Sequence, residues 1–262
     1  MKSAADRAAW LAALRAGADL PPRRPRVPLW LGSEVVGSVE PDFLSPLILD
    51  DGRVRLERLE AGWRLHGEPT LALAGLTDAL RQAGLAHAWR NEQLAVRNAE
   101  GQQLATIERA VVRGLGIQTQ AVHLLGVTAD GRHWVQLRAF DKPNDPGLWD
   151  TLMGGMVSAV DSVQAALVRE TFEEAGLRVD ALRDLRPGGT VITRRPSDEP
   201  GGYVVERIEW FVATLPDGMV PVNQDGEVEH FELMDADALW RRMSAGEFTA
   251  EAALIFAAYL GW

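Results

Sequence analysis

Apolar positions along the chain follow two rhythms, and the switches between them mark out the elements. Near the start, Ala8, Leu11, Ala12 and Leu14 fall on or near one side of a helix, which predicts a short helix over 4–16. Pro21, Pro22 and Pro25 then block helix and predict an extended linker over 21–26. Two-residue alternation takes over next, with strands expected at 27–31 and 35–39 around a Gly32-Ser33 turn and weaker ones at 53–59 and 62–66. Leu71, Leu73, Leu76 and Leu80 mark a helix over 70–83 stopped by Gly84. Strands at 94–97 and 104–107 flank the turn Asn98-Ala99-Glu100-Gly101. A clearer hairpin follows at 121–128 and 133–139, and then a loop over 140–148 carrying Pro143, Pro146 and Gly147. Later strands are expected near 177–180, 189–193, 203–213 and 228–233, with helices at 235–243 and 250–260. Between these lies 162–175, where Val160, Val163, Ala166, Leu167 and Phe172 fall mostly at helical spacing and predict an amphipathic helix. Asp161 is its expected N-cap, with Gln164 completing a capping box, and Gly176 stands where a helix-terminating glycine belongs.

That last helix carries the chemistry. Glu170, Glu173 and Glu174 are spaced i, i+3 and i+4, so three carboxylates emerge on one face with only Arg169 within a turn to neutralise them. Crowded carboxylates repel one another, and a helix accommodates them either as a solvated acidic face or around a cation. An all-oxygen ligand set suits a hard ion, Mg²⁺ or Mn²⁺.

Composition narrows the classes. With no cysteine, disulfides, thiolate metal sites and a cysteine nucleophile are excluded. A net charge of −10 argues against a nucleic-acid polymer as partner. No apolar run approaches the roughly 18 residues of a membrane span. Asp6, Arg7 and Arg15 interrupt any signal-peptide core, so a cytoplasmic location is expected. At 262 residues the chain is comfortable for two domains, expected at 1–115 and 116–262.

The spacing Gly155, Asp161, Arg169-Glu170-x-x-Glu173-Glu174-x-Gly176 resembles the Nudix box of the Nudix (MutT-like) hydrolases. Two positions depart from it: Asp161 replaces the usual glutamate with a shorter acid, and Thr171 replaces a bulky aliphatic, which is expected to loosen packing rather than chemistry. Segments 107–127 and 220–239 resemble a subgroup with an added N-terminal domain, which includes the Nudix half of fungal thiamine pyrophosphokinase fusions. The resemblance implies an α+β Nudix fold, a mixed sheet between helices, with a smaller N-terminal α+β domain. It further implies Mg²⁺- or Mn²⁺-dependent hydrolysis of a diphosphate linkage in a small molecule. Thiamine diphosphate-like compounds and oxidised nucleoside diphosphates such as 8-oxo-dGDP are the substrates it suggests. ADP-ribose or a nucleotide sugar, or a poorly active sensor module, stand as alternatives.

Residue roles follow from charge and resemblance together. Glu170, Glu173 and Glu174 are the expected metal ligands, and the resemblance adds the Gly155 carbonyl. Arg169 is expected to brace Asp161 or a box glutamate. The general base is a box glutamate or a later acid. Glu227 stands at a loop–strand junction suited to that role, to a further metal, or simply to a solvated edge charge, with Glu229 second. Lys142 in the 140–148 loop, and Arg194 and Arg195 in an expected loop, are candidate phosphate contacts or solvated charges. Trp149 is expected in the core, and His66 and His87 are isolated. The N-terminal domain could cover the pocket, form a homodimer contact, or only support folding.

Overall fold

The computed structural model describes residues 4–50, 52–86 and 88–262. His87 therefore lies outside the described residues, while His66 is half-buried and shares a 2.6 Å contact with Glu57. In the N-terminal half, α1 (Ala4–Ala18) precedes β1 (Val27–Leu31), β2 (Glu34–Val39), β3 (Arg55–Leu59), β4 (Gly62–His66), α2 (Pro69–Gln82), β5 (Gln93–Arg97) and β6 (Gln103–Glu108). The strands β2-β1-β4-β3 form one sheet in that order, and β5 and β6 form a separate hairpin. Leu73, Leu76 and Leu80 of α2 join Leu29, Leu65, Leu94 and Ile107 in one core, so three of the four leucines of the sequence stripe form the packing face, while Leu71 is exposed.

The second half contains β7 (Thr119–Val127), β8 (His133–Arg138), β9 (Trp149–Asp150), β10 (Met153–Met156), α3 (Val163–Ala175), β11 (Arg183–Pro196), β12 (Tyr203–Thr214), β13 (Val228–Met234), α4 (Ala236–Ser244) and α5 (Ala250–Tyr259). Its mixed sheet runs β11-β12-β7-β8-β13, with β10 paired to β7 and β9 to β8. The β12–β7 pair is parallel and its neighbours are antiparallel. Because side chains alternate along β7, Leu125 and Val127 join the core under α4 and α5, whereas Val122 and Leu124 join the core under α3. This is the α+β sandwich expected. Among the described residues no helix is long and apolar enough to cross a membrane.

Four local expectations are corrected. Residues 179–181 form a 3₁₀ turn rather than a strand, because Leu177 closes the end of α3 through a 3.3 Å bond from its amide to the Thr171 carbonyl. Arg194 and Arg195 belong to β11, not to a loop. Ser162, not Asp161, caps α3 by accepting from the Ala165 amide at 3.1 Å, and Asp161 turns to Arg169 instead. The buried stripe of α3 is Ala166, Leu167, Thr171, Glu174 and Ala175, while Val160 and Phe172 are exposed. Thr171 is fully buried with its hydroxyl donating to the Leu167 carbonyl at 2.6 Å, so no polar atom is left unpaired by that departure.

The two halves are tied at several points. Trp10 and Leu14 of α1 pack into the C-terminal core, and the Leu20 amide bonds the Arg194 carbonyl at 2.8 Å. At the other edge, the Ala159 amide donates to the Gln93 carbonyl at 2.8 Å, and Leu94 bridges Ser158. The β5–β6 hairpin thus holds the loop between β10 and α3.

Candidate functional site

A cleft of about 500 Å³ opens where β10, α3 and the loop before β9 meet the N-terminal half. Its floor is built from two glycines. A side chain at Gly155 would overlap the carboxyl carbon of Glu170, and one at Gly154 would strike the His123 ring. At Gly155 bare backbone lets the Glu170 carboxylate seat against the strand.

All three helix glutamates line this cleft. Arg169 organises two of them: its Nη1 donates to Glu170 at 2.8 Å and to Glu173 at 3.0 Å. The same guanidinium reaches Asp161 at 3.0 Å and the Met156 carbonyl at 3.3 Å. Burial alone would lower its pKa, but the surrounding carboxylates outweigh burial and hold it firmly cationic. Glu174, 2 % exposed, accepts from the Gln136 side chain and from the Gly154 amide, each at 3.0 Å. Lys142 approaches its other oxygen at 3.6 Å.

Burial dominates the electrostatics of this face. Desolvation pushes the Glu170 carboxyl up to about 7, against the pull of Arg169 and with added repulsion from Glu174. It pushes Glu174 up to about 7 as well, with Lys142 and the Gly154 amide opposing. Among the described residues no three carboxylate or histidine side chains converge as a closed metal site, because the glutamates are turned onto Arg169, Lys142 and Gln136. The donor chemistry nevertheless fits a hard divalent cation: oxygen ligands only, Glu174 buried and Glu170 half-buried, each with its charge incompletely relieved.

The remaining expected residues divide. Lys142 lines the cleft, ion-paired to Glu227 as well as to Glu174. Burial would raise the Glu227 carboxyl, but the Lys142 ammonium outweighs it and keeps this acid ionised. Glu229 is exposed and off the cleft wall, since an irregularity in the pairing of Val228 and His230 breaks the period-two alternation. Alternation along β11 also separates the two arginines. Arg195 lines the cleft and donates to Glu251 at 3.1 Å, whereas Arg194 lies outside it with Asp19 at 3.8 Å. Trp149 is buried, as expected.

Other lining residues carried no signal in the sequence. His123 is buried on β7, its Nδ1 2.9 Å from the Thr151 hydroxyl. Burial lowers its pKa despite nearby Asp150, so the imidazole is neutral. Asp150 accepts from Arg138 at 3.3 Å. Glu206 on β12 is raised by burial and by Glu251, and Thr119 donates to it at 3.1 Å. These residues sit on different strands and meet only once the sheet is formed.

The model of the NUDIX domain family matches residues 117–255, more than half of the chain. The chain belongs to the Nudix family. Nudix hydrolase 20 and Nudix hydrolase 24 of Arabidopsis thaliana, both named chloroplastic, are 33% and 34% identical to it. Those alignments cover 63% and 64% of this Nudix chain and 45% and 46% of the plant proteins. It spans about half the length of the curated relatives it matches. The crystal structure of DR0079 from Deinococcus radiodurans shares the fold, with a TM-score of 0.52 at 21% identity over 64% of this chain and 99% of that one. This Nudix protein therefore carries the family's fold with an N-terminal extension built against it.

Proposed function

We propose that this Nudix protein is a divalent-metal-dependent hydrolase that cleaves the diphosphate linkage of a small organic diphosphate. One observation carries the reading: Glu170, Glu173 and Glu174 all survive on one face of α3 and open into the cleft, two of them with carboxyls held near 7 by burial. The plant relatives named as Nudix hydrolases, similar over more than 60% of this chain, support it.

Glu170, Glu173 and Glu174 would hold Mg²⁺ or Mn²⁺, with the carbonyl of Gly155 beside them. A cation there supplies neutralisation of the diphosphate charge and acidification of the attacking water. The protein groups do the rest. Arg169 fixes the rotamers of Glu170 and Glu173 by bonding both from one guanidinium nitrogen. Glu227 stays ionised beside Lys142, as a proton acceptor must, and the Lys142 ammonium, shared with Glu174, lines the cleft where a phosphate oxygen would compete for it. Arg195 lines the same cleft, its guanidinium held by Glu251.

For the substrate, the reading is a thiamine diphosphate-like compound or an oxidised nucleoside diphosphate, on the strength of segments 107–127 and 220–239. The test is phosphate release with Mg²⁺, coupled to a phosphatase where needed, on thiamine diphosphate, its oxidised forms, 8-oxo-dGDP and ADP-ribose. Metal-dependent turnover that Glu174→Gln reduces at least 100-fold is expected. Turnover that survives the substitution overturns the site, and best turnover on ADP-ribose overturns the substrate class.

A further inference from the structure

The cations on the cleft wall are nearly all spent on neighbouring groups. Arg169 is shared among Asp161, Glu170 and Glu173. Arg138 bonds Asp150 and the carbonyls of Asn144 and Asp145. Arg195 is held by Glu251, Lys142 by Glu227 and Glu174, and Arg113 by Asn144 and Glu199. Two arginines flanking the β5–β6 hairpin keep donors open beside the cleft. The exposed Arg90 side chain has no ion-pair or hydrogen-bond partner among the described residues, and Arg109, which like Arg113 and Arg195 donates from a single nitrogen, spends only Nη1, on Glu92 at 2.7 Å. Both line the cleft of the helix carboxylates and an adjoining recess of about 50 Å³.

Their backbone is fixed with some care. The Arg90 amide donates to Glu108 at 2.9 Å, and the Arg109 amide to the Glu92 carbonyl at 2.9 Å. Glu108 is 2 % exposed, so a buried carboxylate is spent on holding this turn. The hairpin that follows is bonded to residues 158 and 159 of the box loop, which registers both arginines against the carboxylate face of α3.

We propose that Arg90 and Arg109 bind the terminal phosphate of the substrate, and that the N-terminal half thereby selects diphosphate monoesters over diphosphates capped at both ends. This rests on the hydrolase reading above. A free terminal phosphate carries nearly two negative charges at neutral pH, since its second ionisation lies near pH 6, whereas esterification leaves one. Guanidinium groups with unspent donors answer that extra charge and its planar pair of oxygens. If the two arginines served only to offset the carboxylates of the wall, removing either would weaken capped and uncapped ligands alike.

The test is equilibrium binding to the full chain in Mg²⁺, using two non-hydrolysable probes without a base. One is the monomethyl ester of methylenediphosphonate, and the other is its symmetric dimethyl ester with one methyl on each phosphonate. The wild type should prefer the monoester, and Arg90→Gln and Arg109→Gln should each cost roughly 10-fold in its affinity and under about 2-fold for the diester. Arg109→Lys, which keeps a charge for Glu92, should recover part of the loss. Equal losses on both probes, no loss on either, or a wild type without preference or saturable binding would each overturn the proposal. Turnover that depends on Glu174 stands or falls separately, because these probes are not cleaved.

Discussion

Glu170 and Glu174 are both held near 7 against an ordinary value of 4.5, and the direction of that shift fixes how metal-free stability must depend on pH. A carboxyl whose folded pKa is raised binds its proton more tightly in the folded chain than in the unfolded one. Its stabilisation is complete below about pH 4.5 and is lost as pH rises through about 7. For Glu174, almost wholly buried, the loss is on the order of 3 kcal/mol. In chelator, Glu174→Gln should therefore gain stability over the wild type between pH 5 and pH 8 by about that amount, read from urea midpoints. Parallel pH profiles for the two proteins would remove the basis for a strained carboxylate. Added Mg²⁺ should raise the wild-type melting temperature more at pH 8 than at pH 5, because only ionised carboxylates bind it. Ser162 and Asp161 make a second contrast. The cap bond from Ala165 ends on Ser162, so Ser162→Ala should cost about 1 kcal/mol through the helix terminus. Asp161→Ala should instead free Arg169 and reduce turnover, as a kinetic assay of both variants would show.

At the scale of elements, α3 shows what a sequence can and cannot display. Its span, its terminating glycine and its three carboxylates follow from spacing, since 3.6-residue periodicity is local information. Its buried face does not. Glu174 and Thr171 point inward and Phe172 outward, because the orientation of the helix is set by Gly154, Gln136 and Lys142 on other elements. Polarity alone cannot anticipate a buried glutamate that is held by a backbone amide. For the same reason Arg194 and Arg195 looked equivalent in sequence and fall on opposite sides of β11. The partner element, β10, has its own requirement. Gly155→Ala should displace the Glu170 carboxyl, since its Cβ would occupy the same space. A loss of turnover of at least 100-fold, with unfolding still cooperative, is the expected outcome; full activity would mean that Glu170 is not held where α3 places it.

Across the whole molecule, the strands and helices of the N-terminal half were legible one by one, but their attachment was not. The hairpin after the turn at Arg90 is legible as a hairpin, but nothing in its sequence marks that it closes over residues 158 and 159, a contact between segments about 65 positions apart. The first helix carries the same lesson further. It begins the chain, yet Trp10 stacks edge-on against Trp240 at 5.2 Å and Trp262 at 6.1 Å, with Arg7 over both partner rings. Two ends of the chain are thus joined through one aromatic cluster on the side of the sheet that carries α4 and α5. If this docking is part of the global structure, Trp10→Ala removes a half-buried ring and two aromatic contacts, at a cost of roughly 2 kcal/mol. The loss should appear as a lower urea midpoint, followed by far-UV circular dichroism. An unchanged midpoint would show that α1 detaches before the sheet unfolds, because a helix released early contributes nothing to the stability of the cooperative unit it has already left.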